Sequence, residues 1–223
     1  LWRTESAYFM QLPAALREPI QKQLAKFILR SKVQASDVTA EWVLLGGSDG
    51  DAAALAQRAT GKAPSSEHEA VLGPGLAAIR LPGDRCEVAV RWDKAPGAVD
   101  TGWRNAGPEY WEWLDIRAGI PVITPATQEE FVPQMVNLDL IGGVSFEKGC
   151  YPGQEIVARM HYRGTLKQRM YRAAISGGEP PQPGDKLYSA DLGEQACGTL
   201  VNAAPNPGGG CEVLASIQIA AAE

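Results

Sequence analysis

The residues with the clearest chemical potential lie together in one stretch, Lys148-Gly149-Cys150-Tyr151-Pro152-Gly153-Gln154-Glu155, with His161 close behind it. A cysteine acts as nucleophile or metal ligand through its thiolate, whose share rises at a helix N-terminus or beside a cation. Proline suits the first position of a helix. The spacing therefore predicts a helix from Pro152 through Gln154, Glu155 and Arg159, with Cys150 and Tyr151 at or just before its start. Unpaired N–H groups and the positive end of the macrodipole lie there, and Lys148 adds a charge two residues away. Gly149 and Gly153 allow a close backbone approach or a turn. A buried helix-start cysteine in a loop shaped by packing explains the same residues, and their chemistry alone leaves both readings open. His161 offers a Cys/His pair, but such partners are usually distant in sequence, so its proximity carries little weight.

The elements that must position this stretch are read from periodicity and punctuation. Leu16, Ile20, Leu24, Phe27 and Ile28 predict a helix over 16–30, with Pro19 in its first turn or marking a break. Residues 41–45 read as a buried strand ended by Gly46-Gly47. A helix over Asp51–Thr60 follows, begun by Asp49 or Asp51 and stopped by Gly61, and residues 62–75 form a polar connection. Residues 77–81 and 86–92 flank Pro82-Gly83-Asp84 as a hairpin. Cys86, Val88, Val90 and Trp92 alternate onto one face, so Cys86 reads as a small buried hydrophobe. The series predicts an α+β subdomain with an antiparallel sheet. Pro108 then starts a helix after Gly107, with Glu109 in its first turn and Tyr110, Trp113 and Leu114 on its apolar side. Gly119 closes it before Pro121, and its aromatic stripe reads as core. After Lys167 short alternating segments (171–175, 198–201, 212–219) are separated by Pro- and Gly-rich turns. These predict a small β-barrel or sandwich that packs Cys197 and Cys211, with a domain boundary near residues 164–168.

With 223 residues the chain has room for one large or two ordinary domains. Its formal net charge of −5 argues against direct nucleic-acid binding, although a local basic patch is compatible with it. No run approaches the ~18 apolar residues of a membrane span. Cys86, Cys150, Cys197 and Cys211 form no CxxC pair or Cys/His cluster, so neither a metal site nor a disulfide framework is expected, and a reducing cytoplasm suits them.

The segment from Lys148 to Glu155 matches the K-G-C-Y-x-G-Q-E motif of the YgfZ family, relatives of the glycine-cleavage T-protein (aminomethyltransferase). Residues 131–138 (Phe-Val-Pro-Gln-Met-Val-Asn-Leu) resemble the family's F-x-P-Q-x-x-N-L. Residues 116–123 are similar to its I-x-A-G-x-P-x-I, Tyr162-Arg163-Gly164 to its F/Y-R-G, and residues 29–33 to its L-R-x-K-V. The 198–205 segment resembles the family's barrel. The resemblance implies an α+β cloverleaf of two interleaved subdomains, here a folate-binding module over 1–165 lacking an N-terminal part, plus a C-terminal antiparallel β-barrel over 166–223. It implies a tetrahydrofolate-binding, monomeric accessory protein in iron–sulfur cluster assembly or repair, with client proteins that include enzymes of tRNA methylthiolation. Cys150 is then the residue on which activity depends, supported by Lys148, Gly149, Tyr151, Gly153, Gln154 and Glu155. Arg117, Gln134, Asn137, Tyr151 and Arg163 are the candidate folate contacts.

Arg117 departs from the pattern, because relatives often carry Glu there and in aminomethyltransferases an acidic residue holds the pterin. A guanidinium only donates, so Arg117 either meets the folate glutamate tail or is a solvated helix-end cation. Cys150 is read as a transient cluster ligand, a thiol-exchange partner or a nucleophile toward a one-carbon adduct, with no stably bound cluster expected. The alternative function is a tetrahydrofolate-dependent aminomethyltransferase or demethylase. A third is a docking module in which Cys150 is inert.

Overall fold

The computed structural model describes residues 1–48, 51–95 and 105–222, except for the side chain of Asp51. It is α+β, with several antiparallel sheets and short helices. The chain divides into two compact units, Leu1–Asn105 and Ala106–Glu223. The boundary expected near 164–168 falls inside the second unit. No helix among the described residues is long and apolar enough to cross a membrane.

In the first unit β1 (Trp2–Arg3) and β2 (Tyr8–Phe9) form a small ribbon, and α1 spans Arg17–Ala25 with Pro19 in its first turn. The helix ends earlier than its apolar spacing predicts. None of its residues is buried, and a short helix without tertiary packing is marginal. The main sheet contains β3 (Trp42–Ser48), β4 (Ala70–Gly73), β5 (Leu76–Leu81) and β6 (Arg85–Arg91) in the antiparallel order β3-β6-β5-β4. β3 runs on through Gly46-Gly47, which pair with Glu87 and Cys86 of β6, and α2 (Asp51–Thr60) packs beside Gly47. Gly61, in a left-handed conformation, ends α2 as expected. The Asp49 start signal lies outside the described residues. β4 occupies part of the stretch expected to be a polar connection, and the Pro74-Gly75 dipeptide is the turn that pairs it with β5.

The hairpin forms as expected, with Leu81 opposite Arg85 across Pro82-Gly83-Asp84. Cys86, Val88 and Val90 face α2 in one core with Ala52, Leu55 and Ala56. Trp92 does not join them. It lies beyond the strand in a single 3-10 turn and is 68% exposed. The opposite sheet face carries Trp2, Phe9 and Trp42 over Ala77 and Ala89, with Trp2 and Phe9 stacked at 5.1 Å. Six of the seven β6 residues are therefore buried.

The second unit opens with α3 (Pro108–Arg117), capped by Gly107 and closed at Gly119. Gly119 N–H donates to Ile116 O at 3.0 Å and Ile120 N–H to Asp115 O at 2.9 Å, the Schellman pattern that satisfies the last carbonyls. Trp113 and Ile116 are buried, with Tyr110 and Leu114 packed beside them, so the aromatic stripe is core. α3 lies on a sheet of β7 (Gln168–Ile175), β8 (Lys186–Tyr188), β9 (Ala196–Pro205) and β10 (Cys211–Gln218) in the order β7-β10-β9-β8. All neighbours are antiparallel. Met170, Val201, Ala204 and Leu214 meet Trp113, Ile116 and Val136 in the core.

Two asparagines lock loops onto this sheet. Asn202 accepts from Val122 N–H at 2.9 Å and donates to Val122 O at 2.7 Å, beside a bulge where the β9–β10 register shifts. Asn137 donates to Met170 O at 2.8 Å and accepts from Met170 N–H at 3.3 Å.

Candidate functional site

The Cys150 stretch is built on α4 (Gln154–Tyr162) and the turn that precedes it. Tyr151 O accepts from Gln154 N–H at 3.2 Å, and Tyr151 N–H donates to Gln154 Oε1 at 3.1 Å. Gly153 has φ 84° and ψ −4°, the third-residue geometry of a type II turn with Pro152 before it. The helix therefore begins at Gln154 and not at Pro152, because a residue in that left-handed conformation cannot be its first turn. Cys150 lies four positions upstream of the helix, whereas the dipole acts within the first turn. The placement at a helix start that the sequence predicted is not formed. Lys148 puts its ammonium 4.4 Å from the centre of the Tyr151 ring.

What the structure does form is an exposed, self-supporting turn. Lys148, Gly149, Cys150, Pro152 and Gly153 are exposed and Tyr151 is half-buried. A Cβ on Gly149 would meet nothing within 4 Å. Glu155 pairs with Arg159 at 2.8 Å across one exposed helical turn. Of the four free cysteines, Cys86 and Cys197 are buried and Cys211 is intermediate, while Cys150 is exposed. Burial pushes the Cys86 thiol up to about 11. His161 stacks on Phe146 with ring centres 3.8 Å apart, and Tyr162 stands edge-on to both. The start of the loop is thus stapled to the end of α4. On the inner side Val157 is buried and its carbonyl accepts from Gln134 Nε2 at 2.7 Å. Gly164 fits tightly under α4, since a Cβ there would lie 2.9 Å from Met160 Cα.

The candidate folate contacts have placements of their own. Gln134 is buried and spends its amide on α4, leaving its Oε1 without a partner in the structure. Asn137 spends both amide groups on Met170. Arg117 is exposed at the end of α3, with its guanidinium 4.9 Å from the Trp113 ring, and Arg163 is exposed at the end of α4. The hollow lined by Ala52, Pro64, Arg80, Arg85 and Cys86, in the first unit, holds about 10 Å³, room for a single water. In this arrangement the Gln134 amide N–H group and both Asn137 amide groups serve the chain's own backbone. The two exposed arginines fit a carboxylate tail in kind.

The sequence reading missed Arg169 and Asp139. They form a two-pronged pair at 2.7 and 3.0 Å, and Arg169 also donates to Gln134 O at 3.1 Å. This fixes the Gln134 turn, and through it α4, to β7. Phe146 was missed too, because a lone aromatic in a glycine-rich loop carries no periodic signal.

No family model matches the chain. It is 34% identical over 185 residues to the tRNA-modifying protein YgfZ of Pectobacterium carotovorum, covering 80% of this chain and 55% of that protein. The same identity holds over 193 residues with the protein of that name from Colwellia psychrerythraea, with 85% and 59% covered. Against that from Shigella sonnei it holds over 182 residues, with 78% and 54% covered. The chain spans a little over half the length of these curated relatives. Together with the Lys148–Glu155 motif they assign it: the chain belongs to the YgfZ family.

Proposed function

We propose that this chain is the Cys150-bearing part of a cytoplasmic YgfZ-type protein that serves tRNA modification as an accessory to iron–sulfur cluster assembly or repair. The observation that carries the reading is the contrast among its thiols: Cys150 alone is exposed, on a turn held by its own hydrogen bonds. The name shared by the relatives supports the link to tRNA modification. In this reading the Cys150 sulfur meets a client protein, and Gln154 and Gly153 shape the turn that presents it. The proposal extends to a full-length cloverleaf closed by a C-terminal β-barrel and to a tetrahydrofolate site. For that site this chain supplies Arg117 and Arg163 as cations suited to the glutamate tail.

The test is to supply cells lacking the family's protein with the full-length protein carrying Cys150→Ser. Methylthiolated tRNA nucleosides, measured by mass spectrometry, are expected to fall to the level of cells without the protein. Wild-type levels with serine at 150 would overturn the reading. Equilibrium dialysis of the full-length protein against tetrahydrofolate tests the ligand separately, with Arg117→Ala and Arg163→Ala expected to weaken retention.

A further inference from the structure

α4 buries Val157 on its inner side, and its other side is open. At 3.6 residues per turn, Glu155, Ile156, Arg159 and Tyr162 fall on one outward strip, Arg163 follows at the helix C-cap, and all five are exposed. Ile156 is 61% and Tyr162 69% exposed. A single exposed apolar residue is ordinary. An aliphatic and an aromatic residue bracketing Arg159 on one strip have instead the make-up of an interface anchor. The charge is equally local. Residues 146–167 carry Lys148, Arg159, Arg163 and Lys167 against Glu147 and Glu155, in a chain whose formal net charge is −5. The strip and Cys150 are also joined, since the stack of Phe146 on His161, with Tyr162 edge-on, holds the loop before Cys150 against the end of the same helix.

We propose that the outward strip of α4, anchored by Ile156 and Tyr162 and left net positive by Arg159 and the following Arg163 against Glu155, docks an acidic, apolar-containing segment of a partner protein and so delivers that partner to Cys150. A protein partner is favoured over RNA because the exposed aliphatic Ile156 suits a protein contact and the chain's formal net charge is −5. The inference rests on the reading of Cys150 as the thiol that meets the client, and adds what the client must present.

The test uses the full-length protein and two peptides activated as 2-pyridyl disulfides, one with several Glu around a Leu and one with Lys in place of each Glu. Attack by the Cys150 thiolate forms the mixed disulfide and expels pyridine-2-thione, which is followed by absorbance, while mass spectrometry places the adduct. The acidic peptide is expected to react at least about tenfold faster at low salt, and the preference is expected to vanish near about 1 M salt. Ile156→Ser with Arg159→Glu is expected to abolish the preference while the iodoacetamide rate at Cys150 stays unchanged. Equal rates for the two peptides, a preference that survives in the double variant, or an RNA oligonucleotide that blocks the acidic peptide from this strip would each overturn the docking surface. Equal peptide rates while Cys150 remains essential in cells would defeat the docking surface alone. Full cellular activity of Cys150→Ser would defeat the reading of the site.

Discussion

Cys86 and Cys150 sit one in each compact unit, and their surroundings differ in almost every respect. Cys86 lies next to the first residue of β6 (Arg85–Arg91), 2% exposed, between α2 on one side and a sheet whose other face carries three aromatic rings. Its thiol is pushed up to about 11 by that burial. Cys150 lies on a turn between two glycine positions, exposed, with open space where a Cβ on Gly149 would point. Both residues are free cysteines in short runs bounded by turns. What separates them is whether the neighbouring elements close over the sulfur, and that makes one a packing residue and the other available to a partner.

Glutamate substitution breaks this comparison most sharply. Cys86→Glu places an unpaired carboxylate in a closed core and is expected to cost several kcal/mol, seen as loss of the first unit's unfolding transition in urea. Cys150→Glu is expected to leave the urea midpoint of the second unit within the equivalent of about 0.5 kcal/mol. A similar cost at both positions would mean that Cys150 is covered.

Two glycines sharpen the contrast within the second unit. A Cβ on Gly198 would stand 2.5 Å from Ser216 O in the middle of the sheet, so Gly198→Ala is expected to cost about 1–3 kcal/mol. Gly149→Ala meets nothing, and by denaturation its effect is expected within about 0.5 kcal/mol. If Gly149→Ala also lowers cellular activity, the glycine is needed by what approaches the turn and not by the fold.

Asn137 tests whether the turn's support reaches back to the sheet. Asn137→Ala leaves Met170 N–H and O without the side-chain partners they have in the structure and is expected to cost about 1–3 kcal/mol. Hydrogen exchange should then quicken at β7 and at α4 before the rest of the unit.

The smallest effect is in alkali. The Cys86 thiol is raised from 9.0 to about 11 in the fold, so its neutral form contributes stability that is fully present below pH 9 and is lost as pH rises through 11. Urea titrations between these values are expected to show a decline in the first unit that Cys86→Ala removes.

Much of this arrangement was legible in the residues. α3 and its ends follow from Gly107, Pro108 and Gly119, because helix capping is local chemistry. The 76–91 hairpin follows from Pro82-Gly83-Asp84 between alternating apolar runs. The start of α4 was not legible in the same way. Pro152 reads as a helix start, but proline followed by glycine also suits a type II turn, and the left-handed Gly153 with the two hydrogen bonds between Tyr151 and Gln154 makes it the turn. Trp92 kept the alternation of β6 yet left the sheet, since periodicity does not say where pairing stops.

The sequence by itself determined the family, through a motif whose residue types survive without knowledge of their placement, and it singled out Cys150. Tertiary structure alone decided that Cys150 is open while Cys86 is closed, and that Gln134 and Asn137 serve the chain's own backbone. It also decided that Arg169 and Asp139, thirty residues apart, hold the platform under α4. The physical reason is that burial and pairing across such separations depend on which surfaces the sheets bring together, and no local pattern encodes that.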